Sequence, residues 1–286
     1  MNRRNFLAGA AAGAGAAYLP STSLAGIADI PAPKTKYQAH DTVVLGNTGI
    51  RTSRLAMGTG TVGFGGGSNQ TRGGGLTPLL LNGYDDGLRF FDTADSYGSH
   101  PEVAAALKQV PRDKAVVMTK CDSRDPKEAR ADLERYLREL KTDYIDILLI
   151  HCVTEADWTT RFRGVMDVFS EAKEKGLIRA HGVSCHSIEA LRAAAASPWV
   201  EIDLVRLNPV GAYMDANPAT VVSVIQEMRA QGKGIVGMKI LGQGAMRKRQ
   251  DEAIRYALGT GVLDAFTIGA ENRGEQQDLV RRIAAA

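Results

Sequence analysis

Residues 89–97 read R-F-F-D-T-A-D-S-Y, and Gly98 follows. An apolar pair, Phe90 and Phe91, runs straight into Asp92, and a phenol, Tyr97, stands five residues on. Such a run predicts a buried strand whose last residue needs a partner, because an unpaired buried carboxylate is costly. Two later runs end in the same manner. Ala115-Val116-Val117-Met118-Thr119 closes on Lys120, and Tyr144-Ile145-Asp146-Ile147-Leu148-Leu149-Ile150 closes on His151. Three strands would thus deliver an acid, an amine and an imidazole to one edge, with the phenol just beyond the first.

Outward from these runs, strand and helix patterns alternate. Residues 42–45 and 50–53, joined by Gly46-Asn47-Thr48-Gly49, predict a β-hairpin. Residues 54–57 form a first core strand and enter a loop holding nine glycines between Gly58 and Gly75. A helix is expected over 76–87, a strand over 89–93, and a helix over 100–110 opened by a Ser99/Glu102 capping box. After the strand 115–120, Asp125 caps the next helix, Pro126 takes its first position and Glu128 completes the box. Ala129, Leu133, Tyr136, Leu137 and Leu140 give that helix one apolar face. Further strands are read at 144–151, 178–184, 203–207, 234–240 and 265–268, with helices at 162–175, 188–196, 219–231, 250–258 and 275–284.

Eight strands, each followed by a helix, predict an α/β fold, a (β/α)8 TIM barrel with an N-terminal β-hairpin. The competing architecture is an open doubly wound sheet. Gly58-Thr59-Gly60-Thr61-Val62-Gly63 does spell a dinucleotide fingerprint, but Phe64-Gly65-Gly66-Gly67-Ser68 follows it instead of a helix. In a (β/α)8 barrel the chemistry sits at the C-terminal strand ends, where Asp92, Lys120 and His151 fall.

Of the 286 residues, 44% are hydrophobic and 23% charged, an ordinary globular composition. The formal charge is +3, and Arg3 and Arg4 supply two of those charges. Without them about +1 remains, which gives nucleic-acid binding no support. Residues 1–28 resemble a twin-arginine export signal: Arg3-Arg4-Asn5-Phe6-Leu7, an Ala/Gly-rich stretch, Pro20, then small residues suited to cleavage near Ala25 or Ala28. The stretch is too short and too weakly apolar for a stable membrane span. The resemblance implies export by the twin-arginine machinery and a periplasmic location. Residues 29–40, with Pro31 and Pro33, read as a linker, and 41–286 as the barrel domain.

Beyond the signal, the chain resembles the aldo-keto reductases. Leu45-Gly46-Asn47-Thr48-Gly49, Phe91-Asp92-Thr93-Ala94 with Tyr97-Gly98, the strand-3 Lys120 and the strand-4 His151 carry the resemblance, over roughly residues 40–281. It implies a nicotinamide-dependent oxidoreductase that reduces aldehyde or ketone carbonyls, or oxidises the alcohols. Tyr97 would donate the proton. A free phenol has a pKa of about 10, and the Lys120 ammonium is expected to lower it. Asp92 would hold Lys120, and His151 would orient the substrate oxygen.

The family's cofactor, usually NADP(H) and in some members NAD(H), would meet several further positions. Gly60 and Thr61 would face the nicotinamide ribose, and Ser184 the carboxamide. Cys185 stands where Asn is common, and Arg206 where Gln is common. Met238, Lys239, Leu241 and Gly242 occupy the place of a stacking aromatic and a pyrophosphate loop. Gly269 and Ala270 match in outline, and there Arg273 could meet a 2′-phosphate that Glu271 would repel. These departures leave open a non-catalytic or altered-cofactor binding barrel. Taken singly, Asp92 with Lys120 is also readable as a structural ion pair, Tyr97 as a rim aromatic and His151 as a core histidine. Cys121, Cys152 and Cys185 fall just past strands 3, 4 and 5, as half-buried rim residues, a metal site, or a Cys152–Cys185 disulfide.

Overall fold

The computed structural model describes residues 36–286. The expected export signal and most of the linker lie outside the described residues. The part of the linker that is described is not a spacer. Ala39 is fully buried, its carbonyl accepts from Leu55 N at 2.9 Å, and the Arg54 guanidinium lies 4.7 Å from the Tyr37 ring centroid.

Strands β1 (Thr42–Val44) and β2 (Arg51–Ser53) pair antiparallel as the expected hairpin. Their turn plugs the N-terminal end of a closed barrel. Leu45 and Ile50 are wholly buried and pack in the inner core with Phe90, Met118 and Leu149. Asn47 N donates to Gly232 O at 2.8 Å and Gly46 N to Asp264 Oδ2 at 3.2 Å, both in loops that lead into strands.

The barrel strands are β3 (Leu55–Gly58), β4 (Phe90–Asp92), β5 (Val116–Cys121), β6 (Ile145–Val153), β7 (Ile178–Cys185), β8 (Ile202–Arg206), β9 (Gly234–Met238) and β10 (Ala265–Gly269). All pair in parallel, in chain order, and β10 closes on β3. This is the (β/α)8 barrel expected from the alternation. The outer layer holds α2 (Leu76–Asp85), α3 (His100–Leu107), α4 (Pro126–Leu140), α6 (Arg163–Glu174), α7 (Ile188–Ala196), α8 (Pro218–Ala230), α9 (Gln250–Gly259) and α10 (Arg273–Ala284), besides the short α1 (Asn69–Gly73) and α5 (Trp158–Arg161).

Alternation along each strand places every second residue inside. Phe90, Met118, Leu149, Leu204 and Ala265 are inner-core residues, so Asp92, Lys120, His151, Arg206 and Thr267, each two positions on, top the same inward rows. The barrel is therefore filled by apolar layers below and capped by polar groups at its C-terminal mouth.

Three local readings are corrected. The glycine-rich loop contains α1, which Ser68 caps through Thr71 N while the Thr71 hydroxyl returns to Ser68 N at 2.8 Å. Ser99 forms no capping box with Glu102. Its hydroxyl turns inward to Thr59 Oγ1 at 2.7 Å and Thr93 Oγ1 at 2.5 Å, tying the loops after β3 and β4 together beneath the mouth. The expected helix over 162–175 begins earlier and breaks at Phe162 into α5 and α6. Asp125 does cap α4, accepting from Lys127 N at 2.8 Å and Glu128 N at 3.0 Å.

Candidate active site

The mouth is organised by one buried ammonium. Lys120, wholly buried, donates to Asp92 Oδ1 at 2.6 Å and to Thr93 O at 2.6 Å. The other Asp92 oxygen accepts from Thr267 Oγ1 at 2.7 Å. Burial alone would push the ammonium towards losing its proton, but Asp92 and Tyr97 outweigh that and hold Lys120 above its ordinary value. The Tyr97 ring rests on this pair, with Lys120 Nζ 4.8 Å from the ring centroid. A short 3₁₀ turn, Asp95–Tyr97, carries the phenol, and Arg135 anchors that turn through two bonds of 2.7 Å to Asp95.

The expectation that Lys120 lowers the Tyr97 phenol is corrected in its net direction. Burial pushes the phenol up, and the neighbouring ammonium offsets only part of that rise. Tyr97 is therefore held as the neutral, proton-bearing phenol.

His151 meets Tyr97 edge-on, with ring centroids 5.9 Å apart. Its Nδ1 faces Asp122 Oδ1 at 2.8 Å. Burial works against the imidazolium, yet Asp122 and the Cys152 sulfur outweigh it, so His151 titrates above an ordinary histidine. Asp122 itself is held below the usual carboxylate range, its partners winning over burial.

Above these groups opens a cavity of 640 Å³, a size suited to small-molecule binding. Asp92 and Tyr97 line it, as do Gly60, Thr61, Met238, Lys239, Leu241 and Gly269 from the expected cofactor set. The glycine walls are required. A Cβ on Gly60 would lie 2.4 Å from the Tyr97 ring, and one on Gly269 2.4 Å from the Thr61 hydroxyl. Lys239 and Arg247 reach the wall without an ion-pair partner among the described residues, which suits phosphate oxygens. A flat ring beside a diphosphate fits this donor set.

Four expected contacts stand elsewhere. Ser184 is wholly buried, and its hydroxyl accepts from Cys152 N at 3.2 Å. Arg206 is tied to Asp215, with its Nε at 3.0 Å. Gly242 is buried behind the wall, its N–H bonding Lys239 O at 2.7 Å, and Ala270 O accepts from Gln70 at 3.3 Å. Arg273 is also engaged, by both oxygens of Asp86, and Glu271 sits on the cavity rim beside Asn69 at 2.7 Å.

The model of the aldo/keto reductase family matches residues 56–264. The chain belongs to this family. An NADH-specific methylglyoxal reductase of Escherichia coli is 27% identical over 188 residues, a match covering 57% of this chain and 57% of that protein. Methylglyoxal reductase DkgB of Salmonella typhi is 28% identical over 202 residues, covering 68% of this chain and 72% of the relative. A Bacillus subtilis aldo-keto reductase is 32% identical, but over only 51% of this chain and 47% of its own length. Two of these three matches thus span about half of the relative. Among solved structures, a putative aldo-keto reductase from Pseudomonas aeruginosa superposes with a TM-score of 0.71 at 23% identity, covering 87% of this chain and 97% of its own. An aldo-keto reductase from Bacillus halodurans gives 0.69 at 19% identity, with coverages of 86% and 91%. These two likenesses establish the shared barrel.

Two residues the aldo/keto reductase reading missed complete the site. Asp122 lies two positions past Lys120, so alternation signals its approach to the mouth. Thr267 is the one hydroxyl in the inward row of β10, between Ala265 and Gly269. The cysteine alternatives also resolve. All three thiols are free. Cys121 turns towards Asp132 at 3.7 Å and Cys185 towards Asp203 at 3.4 Å, both buried and facing away from the exposed Cys152. Among the described residues the one cluster with metal-ligand spacing is Asp95, His100 and Glu139. The Arg135 guanidinium already bonds both of its carboxylates, at 2.7 and 3.0 Å. No helix among the described residues is long and apolar enough to cross a membrane.

Proposed function

We propose that this protein is a nicotinamide-dependent carbonyl reductase in which Tyr97 delivers the proton. One observation carries the reading: a buried, ion-paired ammonium lies directly beneath a neutral phenol on the floor of the cavity. The bound nicotinamide supplies the hydride. The protein supplies everything that steers it. Gly60 leaves room for the Tyr97 ring itself and Gly58 for Thr267, both on the cavity wall, and Met238 with Leu204 would give a bound flat ring an apolar floor. Tyr97 donates its hydroxyl proton to the forming alkoxide. Lys120, kept charged by Asp92, stabilises the phenolate left behind. His151, fixed by Asp122, points a donor at the carbonyl oxygen and favours the developing negative charge.

NADH fits the rim better than NADPH. Arg273, the basic group expected to meet a 2′-phosphate, is bound to Asp86, and the Glu271 carboxylate stands on the rim. The relative named as an NADH-specific methylglyoxal reductase points to the same cofactor and to small aldehydes as substrates. Export by the twin-arginine route to the periplasm belongs to the proposal through Arg3-Arg4-Asn5-Phe6-Leu7. Moving a fusion reporter of the full chain into the cytoplasm by Arg3→Lys with Arg4→Lys tests that part.

A second reading, a binding barrel without turnover, gains from Ser184 and Arg206 being engaged inside the protein. Steady-state assays of methylglyoxal and larger aldehydes with NADH and NADPH separate the two. Tyr97→Phe is expected to lower kcat/KM by about 10²–10⁴ while NADH still binds. Binding without turnover in the native enzyme supports the second reading, and unaltered turnover in Tyr97→Phe removes the phenol from the mechanism.

A further inference from the structure

Strand β6 carries an irregularity where the mechanism does not need one. Ile150 pairs with Val183 of β7, but the next pairing joins Val153 to Cys185, so β6 spends one residue more than its neighbour. Ile150 and Val153 both face the outer core. Regular alternation allows a single inward residue between two outward ones. Here there are two, His151 and Cys152. The bulge leaves His151 on the inward row and turns Cys152 out to solvent, where it is exposed. Cys152 adopts the left-handed conformation to do so, with φ of 51°, which an L-residue enters only at some cost.

The turned-out sulfur is not isolated. Its Sγ lies 3.6 Å from His186 Nε2, on the loop after β7. The His151 imidazole interacts with it from β6, and Lys239 and Tyr97 approach it from the loops after β9 and β4. Its backbone N–H is fixed by the Ser184 hydroxyl at 3.2 Å, and Arg124 donates to the neighbouring His151 carbonyl. Two imidazoles therefore flank one accessible nucleophile. That is the arrangement that activates a thiol, whereas Cys121 and Cys185 are buried against carboxylates.

We propose that Cys152 is a modification site: it forms mixed disulfides with low-molecular-weight disulfides, and the adduct obstructs the mouth beside His151 and Tyr97. The Cys152 thiolate attacks one sulfur of the disulfide. A new S–S bond forms as the old one breaks, and the leaving fragment departs as a thiolate that takes a proton from His186 or water. One thiol and one disulfide give one mixed disulfide and one thiol, so no other oxidant is required.

The local charges set the reactivity. Burial raises the Cys152 thiol, but His151 and His186 outweigh it and bring it down to about 5. Burial pushes Cys121 up to about 12 and Cys185 well above the ordinary range. Only one of three thiols is then a thiolate at neutral pH.

Oxidised glutathione added to the native full-length enzyme tests this by intact mass, followed by peptide mapping. One adduct per chain at Cys152 is expected, reversed by dithiothreitol, with none on Cys152→Ser. Iodoacetamide alkylation of Cys152 is expected to stay nearly flat from pH 6 to 8, where an ordinary thiol of pKa about 8.5 gains roughly tenfold per unit. His186→Gln should raise the pH at which the alkylation rate levels off, with His151 still holding the thiol below an ordinary one, whereas a merely structural histidine would leave that pH unchanged. Modification elsewhere, no adduct, or an ordinary slope in the native enzyme overturns the site. These readouts do not depend on turnover, so they stand or fall apart from the proposed reductase activity. The obstruction rests on that activity: carbonyl turnover should be lost in proportion to the fraction modified, and full turnover in fully modified protein overturns it.

Discussion

Replacing Lys120 by Met breaks the pair on which the mouth is built. The ammonium is fully buried and has two acceptors, Asp92 Oδ1 and Thr93 O, each at 2.6 Å. Met fills most of the volume but donates nothing. Asp92 keeps its 2.7 Å bond from Thr267 and is left as a carboxylate without a counter-charge, while Thr93 O loses a donor. Breaking a buried pair from one side costs about 3–5 kcal/mol, which for a domain of this size lowers the thermal midpoint by roughly 6–20 °C. The cost depends on pH in a definite sense. A buried carboxylate stripped of its counter-charge is least costly when neutral, so the variant's deficit should be larger at pH 8 than at pH 5. Urea unfolding at pH 5 and pH 8 measures this, with Tyr97→Phe as a control that keeps the pair. Adding Asp92→Leu should recover part of the loss, because the stranded carboxylate is removed. A cost for Lys120→Met below about 1 kcal/mol, the range of an exposed pair, would refute the reasoning. No recovery in the double variant would refute it too.

Three other outcomes follow from the same geometry. Asp122→Asn removes the group that holds His151 above an ordinary histidine; stability from that raised value is fully present below about pH 6.5 and lost as pH rises through the folded value, so the variant's deficit should be larger at pH 5.5 than at pH 8.5, with the His151 NMR titration moved down. Gly60→Ala places a methyl 2.4 Å from the Tyr97 ring; the ring must move, at about 1–3 kcal/mol in urea unfolding, and turnover should fall further than stability does. Glu271→Lys reverses the rim charge, and the ratio of NADPH to NADH affinity should rise about tenfold in fluorescence titrations, falling again with salt.

Much of the barrel was legible because its strands are apolar runs with sharp ends, and because α4 carries its own cap and apolar stripe. What was hidden depends on partners far away in the chain. The residues of α1 lie in a stretch of glycines with no helical signal; Gln70 fixes it by bonding Gly58 O at 3.2 Å, Thr61 Oγ1 at 2.8 Å and Ala270 O at 3.3 Å. Ser99 looked like a cap because spacing shows which bonds a hydroxyl can make locally, and not that Thr59 and Thr93 compete for it. Arg206 was assigned to cofactor because its place on the strand is visible, whereas Asp215, its partner in the following loop, is ordinary in sequence. The net rise of the Tyr97 phenol was missed for a related reason. The neighbouring ammonium can be read from the pattern, but the depth of burial that outweighs it cannot.

The height at which the inward rows turn polar explains why stability and chemistry share the same residues here. Below that height Phe90, Met118, Leu149 and Leu204 fill the barrel; one step above stand Asp92, Lys120, His151 and Arg206. Charges at this depth are costly unless paired, and each is paired within its own layer or with the adjacent loop: Asp92 with Lys120 and Thr267, His151 with Asp122, Arg206 with Asp215. Their hydrogen-bonding capacity is thus largely consumed by the protein. Of the four candidate catalytic side chains, Tyr97 comes from beyond the strand end, rests on the paired layer instead of belonging to it, and lines the cavity with Asp92. A proton donor placed that way keeps its hydroxyl for a ligand while the charges that tune it stay locked beneath, so Tyr97→Phe should remove turnover at little cost in stability, whereas any change to Lys120 or Asp92 must cost both.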